Sequence, residues 1–249
     1  NRIIKTGELN INLKIESNDE FAQMGEAFNY MVGELLQKQR LARLVSGRLS
    51  SRLESITAGQ KMAERANVSI IFSDLRDFTS ISENNSAVSV VEMLNQYFTE
   101  MEKSIIDCNG VIDRFIGDAI VAVFFPDNCP DGVEVSACHA ALNMRKRLAE
   151  LNRDRKQIGL FTIENGIGIA SGEVISGSIG QSGQRKEYAV IGKPFGRASE
   201  LESHCKLAGS VGIIVDENTF AKSSARFSFA ELEKFRGEFH LQKEKGDHE

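Results

Sequence analysis

Val111-Ile-Asp-Arg-Phe-Ile-Gly-Asp118-Ala-Ile-Val-Ala-Val-Phe124 consists of two apolar, largely β-branched runs divided by Gly117-Asp118. Two such runs separated by a Gly-Asp pair predict a β-hairpin, with strands over 111–116 and 119–125. Upstream, Val68-Ser-Ile-Ile-Phe-Ser-Asp74 is a third run that ends in an aspartate. A carboxylate beside a buried strand is costly unless it meets a cation. Brought together, Asp74 and Asp118 would form a hard-oxygen site suited to Mg²⁺ or Mn²⁺.

Between these runs, Val90, Val91, Leu94, Tyr97, Phe98, Met101 and Ile105 fall on one side of a helix predicted over 86–107. Ser86 serves as its N-cap and Gly110 as its stop. A second helix over 133–151 precedes a strand pair around Gly159-Leu-Phe-Thr-Ile and Gly166-Ile-Gly-Ile-Ala. The order β-α-β-β-α-β is the ferredoxin-like α+β arrangement, a sheet with helices on one face. Further strands at 187–191 and 211–215 flank a third helix, so the domain is assigned to 67–235, with 236–249 as a tail.

Residues 19–56 contain no proline, and Phe21, Met24, Phe28, Met31 and Leu35 recur at alternating spacings of three and four. This is a coiled-coil seam; a single amphipathic helix lying on the domain's own core is the competing reading. Ile3, Gly7-Glu8-Leu9 and Asp19-Glu20-Phe21 sharpen the choice, because they resemble a HAMP linker over residues 1–40 that lacks its first helix. The resemblance implies a parallel homodimer and a receptor that reaches the membrane, the inner membrane, only through missing N-terminal segments. On that reading this portion is cytoplasmic, and residues 41–66 are a transducing helix and connector.

Composition limits the alternatives. The chain has 249 residues, 41% hydrophobic and 26% charged, which suits a globular unit with a smaller appendage. With 30 basic and 35 acidic residues, a net charge of -5 gives no reason to expect a nucleic-acid partner. Arg145-Lys-Arg147 and Arg153-Asp-Arg-Lys156 read as a solvated helix end. Cys108, Cys129, Cys138 and Cys205 lack ligand spacing and read as reduced thiols, while His139 and His204 read as structural. The glycines at 166, 168, 172, 177 and 180 do not fit a dinucleotide fingerprint and are expected at hairpin and bulge positions. No apolar run approaches bilayer length and no signal-peptide pattern opens the chain, so a soluble chain is expected.

Phe72-Ser-Asp74-Leu-Arg-Asp-Phe78-Thr79 and Arg114-Phe-Ile-Gly-Asp118-Ala together resemble the F-x-D-x-x-x-F-T and K-F-x-G-D-A motifs of class III adenylate/guanylate cyclases. The resemblance extends over residues 68–215. It implies attack of a ribose 3′-hydroxyl on the α-phosphate of a nucleoside triphosphate, with two Mg²⁺ or Mn²⁺ per site. Asp74 and Asp118 would hold the metals, and the loop with Leu75, Phe78 and Thr79 would receive the triphosphate. Asp77 stands where the family usually has glycine.

The family completes each site across a head-to-tail dimer. In the matching segment, Tyr188-Ala-Val-Ile-Gly192-Lys-Pro-Phe-Gly196-Arg-Ala-Ser-Glu200, Gly196 replaces the asparagine that orients the ribose and Glu200 replaces the arginine that stabilises the reacting phosphate. Loss of one such donor costs about 3 kcal/mol of transition-state stabilisation, and charge reversal costs more. Arg197 is adjacent, but one helical residue turns a side chain by roughly 100°. The base-reading positions hold Arg114 and Ala189, matching neither the adenylate nor the guanylate pattern, so the ligand is ATP or GTP. Three functional readings follow: a receptor-linked cyclase converting ATP to cyclic AMP but impaired as a homodimer, an inactive pseudo-cyclase acting as a regulatory or dimerising module, and the metal-donating half of a heterodimer with a complete cyclase.

Overall fold

A computed structural model describes residues 63–179, 187–207 and 212–246 of the chain. The HAMP, coiled-coil and transducing-helix expectations for residues 1–62 lie outside the described residues, as does Gly180.

Strand β1 (Ala63–Leu75) alternates so that Val68 and Ile70 face one side and Ile71 and Leu75 the other, all buried. It lies between β3 (Ala119–Phe124) and β4 (Asn165–Ile179), antiparallel to both. β2 (Val111–Ile116) pairs with β3 through the hairpin, giving β2-β3-β1-β4 as one half of the sheet. This is the expected ferredoxin-like order. The other half continues through β6 (Ile213–Asp216), parallel to β4, then β8 (Glu238–Glu244) and β7 (Phe227–Glu231). β5 (Glu187–Ile191) pairs with the outer part of β4.

Two long helices, α2 (Ala87–Asp107) and α3 (Val133–Gln157), cover one face of the sheet; a short α1 (Phe78–Asn84) precedes α2. Met93, Tyr97, Met101 and Ile105 of α2 and Met144 and Leu148 of α3 pack there with Ile71, Ile167 and Ile169. The Ser86 side chain caps α2 by accepting from the Ser89 amide at 3.2 Å. α4 (Lys193–Leu207) covers the opposite face, where Ala198, Leu201 and Cys205 meet Val68, Ile70 and Ala170, so the helices are not confined to one face. α5 (Glu217–Ser223) is capped by Asp216. Among the described residues no helix is long and apolar enough to cross a membrane.

Several expectations are corrected. Gly166, Gly168, Gly172 and Gly177 lie inside β4 on an unbroken ladder from Ala63↔Gly177 to Leu75↔Asn165, at neither a hairpin nor a bulge. Gly168 is needed for close approach: a Cβ there would lie 2.0 Å from the Ala198 carbonyl oxygen of α4. Residues 160–164 form no strand despite their apolar alternation. Side chains of α3 take their backbone groups instead: Asn152 donates to the Ile163 carbonyl at 2.7 Å and accepts from its amide at 2.9 Å, and Arg155 donates to the Phe161 carbonyl at 3.0 Å. Arg155 is therefore buried, although Arg153 and Lys156 at the same helix end are exposed as expected; Arg145 also turns inward, donating to the Asn165 and Gly212 carbonyls. The expected tail over 236–249 supplies β8, and β1 already begins at Ala63, inside the expected connector.

Candidate metal and nucleotide site

Asp74 stands one residue before the end of β1, opposite Gly166 of β4, and the alternation puts it on the α4 side with Ile70 and Phe72. Asp118 stands in the β2–β3 turn, where Gly117 takes a left-handed conformation (φ 63°) that favours glycine. Because β3 is the neighbour of β1, with Ser73 opposite Ile120, the turn closes beside the end of β1. The two carboxyl groups are hydrogen-bonded to each other, and the Leu75 amide donates to Asp118. Two aspartates separated by 44 positions in sequence thus share one spot.

The Asp118 carboxyl is pushed up to about 6, first by burial, then by the negative charge of Asp74 and the hydrogen bond between them. A divalent cation would relieve that repulsion, and the donors are hard oxygens, so the pair fits Mg²⁺ or Mn²⁺. Among the described residues no group of three or more Asp, Glu, His or Cys side chains is arranged to hold a metal ion. The remaining ligands of a six-coordinate ion would come from water, backbone or a bound phosphate.

Without metal, a carboxyl raised in the fold contributes stability that is fully present below its ordinary pKa of about 3.8 and lost as pH rises through about 6. In a chelating buffer, Asp118→Asn is therefore expected to stabilise the chain at pH 7. That advantage shrinks as pH falls through 6, which urea unfolding of both chains across pH 4–7 would measure.

The loop after Asp74 divides its side chains. Leu75 is buried and Phe78 packs on the α2–α3 core, so both can offer a ligand only backbone groups, whereas Thr79 is exposed. Asp77 adopts the left-handed region (φ 54°, ψ 27°) just before α1 and makes no side-chain cap. That backbone geometry accounts for a glycine at this position in the family; aspartate is among the residues that tolerate it.

The other predicted residues lie elsewhere. Ala189 of β5 pairs with Gly177, and Asp74 with Gly166, so they are separated by about 36 Å of strand at ~3.3 Å per residue. A chain cannot bring its own Ala189 to its own aspartates. Arg114 follows a bulge in β2, is bonded to Asp113 at 2.6 Å, and has its guanidinium 5.9 Å from the Phe195 ring of α4. Gly196 is exposed in α4, with nothing within 4 Å of where a Cβ would stand. Glu200 is exposed and accepts from Arg197 at 2.8 Å, which holds its carboxyl below the usual range. Arg197 is held a second time by Glu238 of β8, at 2.9 Å. That anchor was not foreseen, because it comes from a segment read as a tail.

Comparison with known proteins identifies the fold. The model of the adenylate and guanylate cyclase catalytic domain matches residues 60–246, most of the chain. The chain belongs to this cyclase family. A HAMP domain model matches residues 2–37. An uncharacterized protein of Mycobacterium tuberculosis is 28% identical over 94% of the chain, and an adenylate cyclase of Anabaena cylindrica is 32% identical over 86%. The cyclase chain spans 43% and 42% of the length of these relatives. Among solved structures, the adenylyl cyclase CyaB of P. aeruginosa superposes with TM-score 0.63 and 25% identity, covering 75% of this chain and 97% of its own. The guanylyl cyclase Cya2 gives 0.61 and 29%, covering 76% and 96%.

Proposed function

We propose that this chain is the cyclase portion of a HAMP-coupled, membrane-linked signalling protein, and that it supplies the metal-binding half of a nucleotide cyclase site. The observation that carries this reading is the paired Asp74 and Asp118 carboxyls at the strand end, in a chain whose α4 offers an exposed glutamate at Glu200. A divalent cation held by the aspartates would neutralise a triphosphate and acidify the ribose hydroxyl. Arg114 and Ala189 leave ATP or GTP as the substrate, in keeping with a likeness to both an adenylyl and a guanylyl cyclase.

A parallel homodimer of this chain would hold two metal half-sites, each facing a partner without the asparagine and arginine. It turns over slowly or serves as a regulatory module; a heterodimer with a complete cyclase would gain one competent site. The test is a Mn²⁺ titration of the purified chain with ATP or GTP, followed by EPR. Binding that disappears in Asp74→Asn and Asp118→Asn is the expected result, and binding that is absent or indifferent to both substitutions would remove the metal role.

A further inference from the structure

Arg76 lies two residues beyond Asp74, and its side chain reaches over Gly166 to α4. Its Nη1 stands 2.6 Å from Glu202 Oε1, with the side chains 11% and 3% exposed, and Nη2 donates to the Glu202 carbonyl at 3.3 Å. That path is open because residue 166 is glycine: a Cβ there would lie 1.5 Å from Arg76 Nη2 and 2.5 Å from Cζ. Gly166 is also the residue directly opposite Asp74 in the β1–β4 ladder. The backbone of the same residue is tied down as well, the Arg76 amide donating to the Glu164 carbonyl at 2.8 Å.

An ion pair this deeply buried contributes little net stability, because desolvating two charges offsets their attraction. The Nη1–Oε1 contact also lacks hydrogen-bond geometry. Fixing a position is the better explanation for its presence. We propose that Arg76 and Glu202 are positioning residues: a strut that fixes the loop after Asp74 against α4, holding the Asp74–Asp118 pair at the spacing a cation requires. This rests on the reading of that pair as a metal site. The strut also joins, within one chain, the metal half-site to the helix that carries Gly196 and Glu200, so movement of α4 is transmitted to Asp74.

The test uses the full chain and Mn²⁺ alone, with EPR titration for affinity and thermal unfolding for stability. Arg76→Met with Glu202→Leu removes both charges of the pair together, so neither is left buried without the other. The melting temperature is expected to stay level or rise, while Mn²⁺ affinity falls about tenfold or more, as for lost outer-shell support. Arg76→Lys keeps the charge and guards against misfolding of the double variant; its affinity is expected to lie between the two. Unchanged affinity in either folded variant, with binding still abolished by Asp74→Asn, would overturn the strut and leave the metal site standing. If the unmodified chain binds no Mn²⁺, both fall.

Discussion

Gly196→Asn combined with Glu200→Arg is expected to raise the cyclase turnover of the chain by about 10²-fold or more, measured with Mn²⁺ and with ATP or GTP in separate assays. Both positions accept the change. Gly196 is exposed with nothing within 4 Å of its would-be Cβ, and a helical glycine is poorer than asparagine by a few tenths of a kcal/mol. Glu200 forfeits only its surface bond to Arg197, and such pairs contribute about 0–1 kcal/mol. Arg197 keeps its second partner, Glu238. On the proposed reading, the substitutions would restore a donor to the ribose and a cation to the reacting phosphate, each a transition-state contact of about 3 kcal/mol. A folded double variant with parental turnover would show that these positions do not limit the reaction.

Gly168→Ala is expected to destabilise the fold by about 3 kcal/mol, the upper end for overpacking. The added Cβ would stand 2.0 Å from the Ala198 carbonyl oxygen and 2.5 Å from the Glu202 amide nitrogen. Both obstacles are α4 backbone, so no rotamer change relieves them. The helix itself must move, and Ala198 and Leu201, both 0% exposed, would lose their packing on Val68 and Ile70. Gly196→Ala on the same helix meets open space and should stabilise slightly. Urea unfolding separates the two cases; equal midpoints for Gly168→Ala and the parent would contradict the close packing of α4 on β4.

Local chemistry made part of this legible in advance. Gly117-Asp118 between apolar runs marked the hairpin, Ser86 marked the start of α2, and the expectation that Asp74 and Asp118 come together agrees with the fold. What escaped depends on partners distant in sequence. Gly168 looks like any strand glycine until α4 lies on it. Phe161 and Ile163 alternate with Thr162 and Glu164 as a strand would, but Asn152 and Arg155 take the backbone groups a neighbouring strand would need. Arg76 and Glu202 stand 126 positions apart, and neither charge announces that it is buried. β8 was missed because Gln242, Lys243 and Glu244 make its second half polar.

The proposed division of the cyclase site into a metal half that this chain keeps and a charge-stabilising half that it lacks is tested most directly by complementation within this protein. One chain is left unmodified; the other carries Asp74→Asn, Asp118→Asn, Gly196→Asn and Glu200→Arg together. The first lacks the transition-state donors and the second the metal ligands, so each alone should be nearly silent with Mn²⁺ and ATP or GTP. Mixed and refolded together, they should form heterodimers with one complete site and turn over about 10²-fold faster than either alone. A mixture as slow as its components, or an unmodified chain as fast as the mixture, would contradict the account.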